Sequence, residues 1–101
     1  MDYHIKENSL FAYVAKKVLK ANGVAMVLGK TIHLNGVKST EFLRDAKWLR
    51  HELAHIEQFE RYGFFKFLFL YLIESCKNGY YNNKFEVEAR RAAENNEDQN
   101  I

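Results

Sequence analysis

Proline is absent from this chain of 101 residues, so no helix carries a proline kink and turns are left to Gly and Asn. Cysteine occurs once, at Cys76, which excludes an intrachain disulfide. Charge of one sign is also scarce. The net charge is +2 and the basic residues are scattered, which removes the electrostatic case for a nucleic-acid partner. The longest apolar run, over 64–76, falls short of the roughly 20 residues that a membrane-spanning helix needs. The opening Met-Asp-Tyr-His-Ile-Lys-Glu-Asn lacks the basic-then-apolar order of a secretory signal. With the lone cysteine, this sets the expectation of a reducing, cytoplasmic setting.

What is present is an aromatic-rich globular composition. Apolar residues make up 48% of the chain, with eight Phe and six Tyr. This length supports one core and one domain, 1–101, with its functional site at the core's edge. The polar, acidic end over 95–101 is expected to be a frayed tail.

Apolar residues at 10, 11, 14, 15, 18 and 19 follow a helical period, with Ser9 as the expected N-cap and Asn22-Gly23 as a stop. Residues 24–28 and 31–35 read as two strands joined at Gly29-Lys30, forming a hairpin that needs a helix to pack on. A long helix is expected over 40–62, capped by Ser39 or Thr40 and ended by Gly63. Its Phe42, Ala46, Leu49, Leu53 and Ile56 share one face. The run over 64–76 is apolar nearly all round and reads first as a buried core helix. Its first part, 64–73, also suits peripheral contact with a membrane. Residues 77–83 read as a loop, and Asn82 or Asn83 is expected to cap a last helix over 84–94.

The chemistry is concentrated in His51-Glu52-Leu53-Ala54-His55. Residues four apart on a helix project from the same side, so both imidazoles can reach one ion. The intervening Glu cannot join them at that point but can meet a water bound to the ion. With His51 at zero degrees, His55 lies near about 40 degrees, Glu52 near about 100, and the core stripe between about 140 and 220. The histidines are thus expected to point away from the main apolar face, flanked by Trp48 and Phe59. The same five letters also arise by chance on charged helix faces; the long amphipathic helix around them argues for a metal site.

Zinc needs a third protein ligand. His4, His33, Glu74, Glu86 and Glu88 are the candidates. In the last helix Phe85, Ala89, Ala92 and Ala93 make a narrow apolar face whose alanines allow close approach of another helix. Glu86 stands about 60 degrees from the centre of that face and Glu88 about 100 degrees away on the other side, which favours Glu86. His33, Tyr80 and Tyr81 compete for the role of stabilising an oxyanion. The plainer role for His33 is a strand residue hydrogen-bonded to its neighbours.

At this point the sequence resembles the zincin superfamily, in its Glu-ligand branch, the gluzincins. It is similar to short bacterial zincin-like domains whose pattern pairs H-E-x-x-H-x-x-Q with a later aromatic-rich segment, then Gly-Tyr, Asn and Glu-x-Glu-Ala. Gln58, Gly79-Tyr80, Asn82-Asn83 and Glu86-Val87-Glu88-Ala89 occupy those places, and the likeness covers roughly residues 24–93. Related membrane-bound peptidases carry the third ligand in Glu-x-x-Ala-Asp. That ligand maps to Glu86, while Arg90 stands where the Asp would be.

The resemblance implies an α+β, mainly helical minimal domain with one hairpin beside the H-E-x-x-H helix. It implies Zn2+ held by His51, His55 and Glu86, and a hydrolase in which Glu52 is the general base for cleaving a peptide or protein substrate. It further implies that the strand at 31–35 is an edge that pairs with extended substrate. The competing expectation is a non-catalytic zinc-binding module that serves structure or protein interaction.

Overall fold

The alternating apolar segments at the hairpin fold as the sequence predicts, into strands with the expected bounds. In the computed structural model, which describes residues 2–99 and their side chains as far as 94, the elements follow in this order. They are β1 (His4–Lys6), α1 (Leu10–Leu19), β2 (Val24–Leu28), β3 (Thr31–Asn35), α2 (Ser39–Arg44), α3 (Ala46–Tyr62), α4 (Phe64–Asn82) and α5 (Lys84–Gln99). The architecture is α+β and mainly helical. Of the segment expected to fray, the backbone is helical to Gln99, and residues 100 and 101 lie outside the described ones.

The sheet is larger than a hairpin. β1 pairs in parallel with β3, which also pairs antiparallel with β2, giving the order β1-β3-β2. Three residues are too few to show a pattern, which is why β1 is invisible in the sequence. Its presence corrects the expected edge: residues 31–35 are the central strand, and 24–28 form an edge. Gly36 closes the hairpin region at φ 79°, and a Cβ there would stand 2.1 Å from the Asn22 carbonyl oxygen. Only glycine fits that contact.

Ile32 and Leu34 of β3 face the core, joined by Val27, Phe42, Ile56, Phe59, Phe67 and Phe85. His33 points to the other face, where α1 lies. Its Nδ1 is 2.8 Å from the Ser9 hydroxyl, which also accepts from the Ala12 backbone N–H and so caps α1. His33 is therefore a fastener between sheet and helix.

The helix expected over 40–62 is broken at Asp45. That residue's carboxylate accepts from the Trp48 N–H at 3.1 Å and caps α3. Neither Ser39 nor Thr40 acts as the side-chain cap of α2; the Ser39 N–H is met instead by the Glu7 carboxylate at 2.5 Å. The break also divides the expected core stripe. Phe42 and Ile56 are fully buried, but Leu49 and Leu53 are half-buried and Ala46 is exposed.

Two further expectations change in α4. Of the expected loop over 77–83, residues 77–82 are helical, apart from a kink at Gly79, whose φ of 78° suits glycine. The apolar run is not a core helix either: Phe67 is its buried residue, while Phe65 and Phe69 are exposed. α4 meets α3 and α5, while Phe65, Phe69 and Leu72 stay exposed.

Asn83 joins α4 to α5. It is fully buried, accepts from the Phe85 N–H at 2.8 Å, and donates to the Tyr71 carbonyl at 3.1 Å and the Ser75 hydroxyl at 2.8 Å. Replacing it removes a cap and leaves buried groups unpaired. Asn83→Ala is expected to lower unfolding free energy by about 2 kcal/mol in urea titrations; a change below about 0.5 kcal/mol would show that the junction does not depend on this side chain.

Candidate metal centre

One turn of α3 brings His51 and His55 together, with ring centroids 5.0 Å apart. α5 crosses this face closely because the residues it sets there, Ala89 and Ala93, are small and buried. Glu86, three residues after the Asn83 cap, is thereby carried to the histidines. Its Oε1 lies 3.0 Å from His51 Nε2 and 3.2 Å from His55 Nε2. One donor atom from each of the three residues lies within 4.8 Å of the others. Zinc bonds of 2.0–2.1 Å at tetrahedral angles put two ligand atoms ~3.3 Å apart, so the spacing suits one ion.

Standing off the expected apolar stripe does not leave the histidines on a free surface. α3 is covered on two sides, by the sheet and by α4 and α5, so Glu52 and His55 are buried and His51 is half-buried. The wide buried surface follows from α5, whose contact with α3 cannot be read from the apolar stripe of α3 alone.

The outer atoms of the ligands are also held. Gln58, fully buried, uses its amide N–H groups on the Phe85 carbonyl at 3.0 Å and the Glu88 carboxylate at 2.8 Å. Its Oε1 is left to accept from His55 Nδ1 at 2.8 Å. That bond fixes the His55 ring and leaves Nε2 for an ion. The Tyr71 hydroxyl donates to Glu86 Oε2 at 2.5 Å, leaving Oε1 to the imidazoles.

Charge is balanced within the cluster. Burial favours a neutral Glu86, but hydrogen bonds from His51 and His55, the His55 charge and the Tyr71 hydroxyl outweigh it and hold the carboxyl well below its usual range. Burial would lower the pKa of His55, yet the bond to Glu86 and the charges of Glu86 and Glu52 push it up to about 9. With Nδ1 donating to Gln58 and Nε2 to Glu86, the metal-free ring is an imidazolium. Glu52 is pushed up to about 8, chiefly by burial, against the pull of His55. Burial and the Glu86 charge raise the Tyr71 hydroxyl far above its ordinary value, so it remains a donor.

A groove of about 590 Å³ opens over the cluster. Glu52, His55, Glu86 and Tyr80 share its lining with α1, β2 and the apolar side of α4. Of the remaining residues singled out from sequence, Tyr81 is exposed and stacks on Arg90, with 4.1 Å from the guanidinium carbon to the ring centroid. Glu88 is exposed and bonds Gln58 and Arg61. Glu74 accepts from Asn78 and the Lys84 N–H. His4 lies in β1, and His33 is bound to Ser9. None of these five joins the three-residue cluster.

Sequence reasoning gave no role to Tyr71 or to the hydrogen bond of Gln58. Each has a signal in retrospect: Gln58 follows His55 by one helical turn, and Tyr71 interrupts a run of Phe and Leu one turn after buried Phe67. Comparison of the chain with protein-family models, with curated proteins and with solved structures finds no match.

Protonation of His55 would compete with a metal held at this cluster. Because its folded pKa is raised, the proton stabilises the metal-free fold fully below about 6.5 and progressively less as pH rises through about 9. Metal must displace that proton. Zinc affinity, measured by chelator competition, is therefore expected to rise about tenfold per pH unit up to about pH 9. An affinity independent of pH over that range would contradict the placement of His55 in the site.

Proposed function

We propose that this chain is a zinc-dependent peptidase of the gluzincin kind, with His51, His55 and Glu86 as metal ligands and Glu52 as general base. The observation that carries the reading is the convergence of two imidazole Nε2 atoms on one oxygen of Glu86, beneath a groove that Glu52 also lines. The donor set of two imidazoles and one carboxylate is one that zinc takes in hydrolytic sites. A structural zinc site takes four protein ligands, whereas the cluster holds three among the described residues. That count favours catalysis over a purely structural role.

Zinc held by these residues supplies Lewis-acid polarisation of a carbonyl and lowers the pKa of a water. The chain supplies the remainder. Glu52 takes a proton from the attacking water and returns it to the leaving amine nitrogen. Burial raises its pKa to about 8 in the metal-free site, and a divalent cation held beside it would favour the carboxylate form that accepts the proton. Gln58 and Tyr71 keep His55 and Glu86 from rotating away. Tyr80, on the groove wall, keeps its proton because burial of the hydroxyl and the Glu86 and Glu52 charges raise its pKa. It is thus the donor available to a developing oxyanion. The outer edge of β2, rather than residues 31–35, borders the groove and offers backbone groups to an extended peptide.

Glu52→Gln separates catalysis from metal binding. The variant is expected to retain zinc at the parent stoichiometry and to cleave an unstructured peptide library about 10²–10⁴-fold more slowly. Equal cleavage by parent and variant would remove Glu52 from the mechanism, and zinc binding with no cleavage by the parent would leave a non-catalytic metal module.

A further inference from the structure

α1 turns its apolar side away from the core. With Leu10 at zero degrees, Phe11, Val14, Ala15, Val18 and Leu19 cover about 0 to 180 degrees, whereas buried Ser9 and Ala12 lie between about 200 and 260. Small residues therefore meet the sheet, joined by Phe11, whose ring lies edge-on to His33 at 5.7 Å between centroids, while Leu10, Val14 and Val18 stay exposed. Leu10 is 75% exposed and Val18 74%. Across the groove α4 does the same: Phe65, Phe69 and Leu72 form one stripe, and Phe65 is 83% exposed. Val14 and Val18 line one wall of the groove and Leu72 another, so the two exposed stripes border the same opening. Apolar exposure on this scale marks a binding surface.

Apart from Glu52 and Glu86 in the groove lining, the charge in the segments that form this surface has one sign. Residues 8–40 and 61–73, which supply α1, the hairpin and the start of α4, contain no Asp or Glu. They contain Lys16, Lys17, Lys20, Lys30 and Lys66. The acidic residues that balance the chain to +2 lie on other segments. A second copy meeting this face about a two-fold axis would set lysine against lysine. No helix among the described residues is long and apolar enough to cross a membrane, so a bilayer would be met from its surface.

We propose that this face docks the domain onto an anionic membrane surface. Lys17 and Lys66, which border the two apolar stripes, meet lipid phosphates, and Leu10, Val18, Phe65 and Phe69 enter the boundary between headgroups and acyl chains. An apolar helix face flanked by lysines is the arrangement that lies in such an interface. Docking there would open the groove toward the lipid. The inference stands apart from the metal, since neither stripe includes a proposed ligand.

The test is cosedimentation of the full chain with phosphatidylcholine vesicles containing or lacking phosphatidylglycerol. Partition into the phosphatidylglycerol vesicles is expected, with release by salt. Lys17→Glu with Lys66→Glu, and separately Phe65→Ser with Phe69→Ser, are expected to lower the partition coefficient about tenfold or more. All four side chains are exposed, so helical circular dichroism should match the parent. The proposal is overturned by no partition into phosphatidylglycerol vesicles, by equal partition with and without that lipid, or by a soluble dimer that Phe65→Ser dissociates.

Discussion

Two imidazoles share one carboxylate oxygen, and most of the helical half of the fold is arranged so that they can. His51 and His55 come from one turn of α3, but Glu86 comes from a helix more than 30 residues later. Bringing a buried carboxylate beside buried imidazoles is unfavourable unless charge and hydrogen bonds are matched. Here they are matched: a charged His55 offsets Glu86, Tyr71 takes the second oxygen, and Gln58 takes the second His55 nitrogen. A divalent ion replacing the His55 proton would add one positive charge, which ionisation of the neighbouring Glu52 would offset.

The supporting parts have separable duties. Ala89 and Ala93 set how near α5 comes to α3, because they add no bulk at the contact. Asn83 sets where α5 begins, and so where Glu86 stands along it. Gln58 ties the α3 side of the site to the α5 backbone at Phe85. The sheet serves a different purpose. Its central strand fills the core with Ile32 and Leu34, and its edge strand β2 borders the groove. The groove is consequently polar at its base and apolar on its walls.

Much of this was legible in the sequence where the signal is local. The hairpin strands have the expected bounds because alternation and a two-residue turn are local properties. The pairing of His51 with His55 follows from helical pitch, and Glu86 was preferred over Glu88 by its angle to an alanine face. Long-range features were not legible. β1 is three residues long and acquires meaning only beside β3, so the expected edge strand proved to be central. Asp45 breaks a pattern whose apolar period continues across it, because a side-chain cap competes with the continuing helix. The outward-facing side of α1 contradicts the rule that an apolar stripe faces the core, and no periodicity could reveal that. Tyr71 was hidden among residues that looked like core.

The central claim is that one ion is held jointly by α3 and α5. Anomalous scattering at the zinc edge, from crystals of protein purified without a polyhistidine tag and supplied with zinc, tests it directly. The account predicts one strong peak about 2.0–2.2 Å from His51 Nε2, His55 Nε2 and a Glu86 oxygen. No peak between those atoms, or a peak held by Glu88 in place of Glu86, would contradict it.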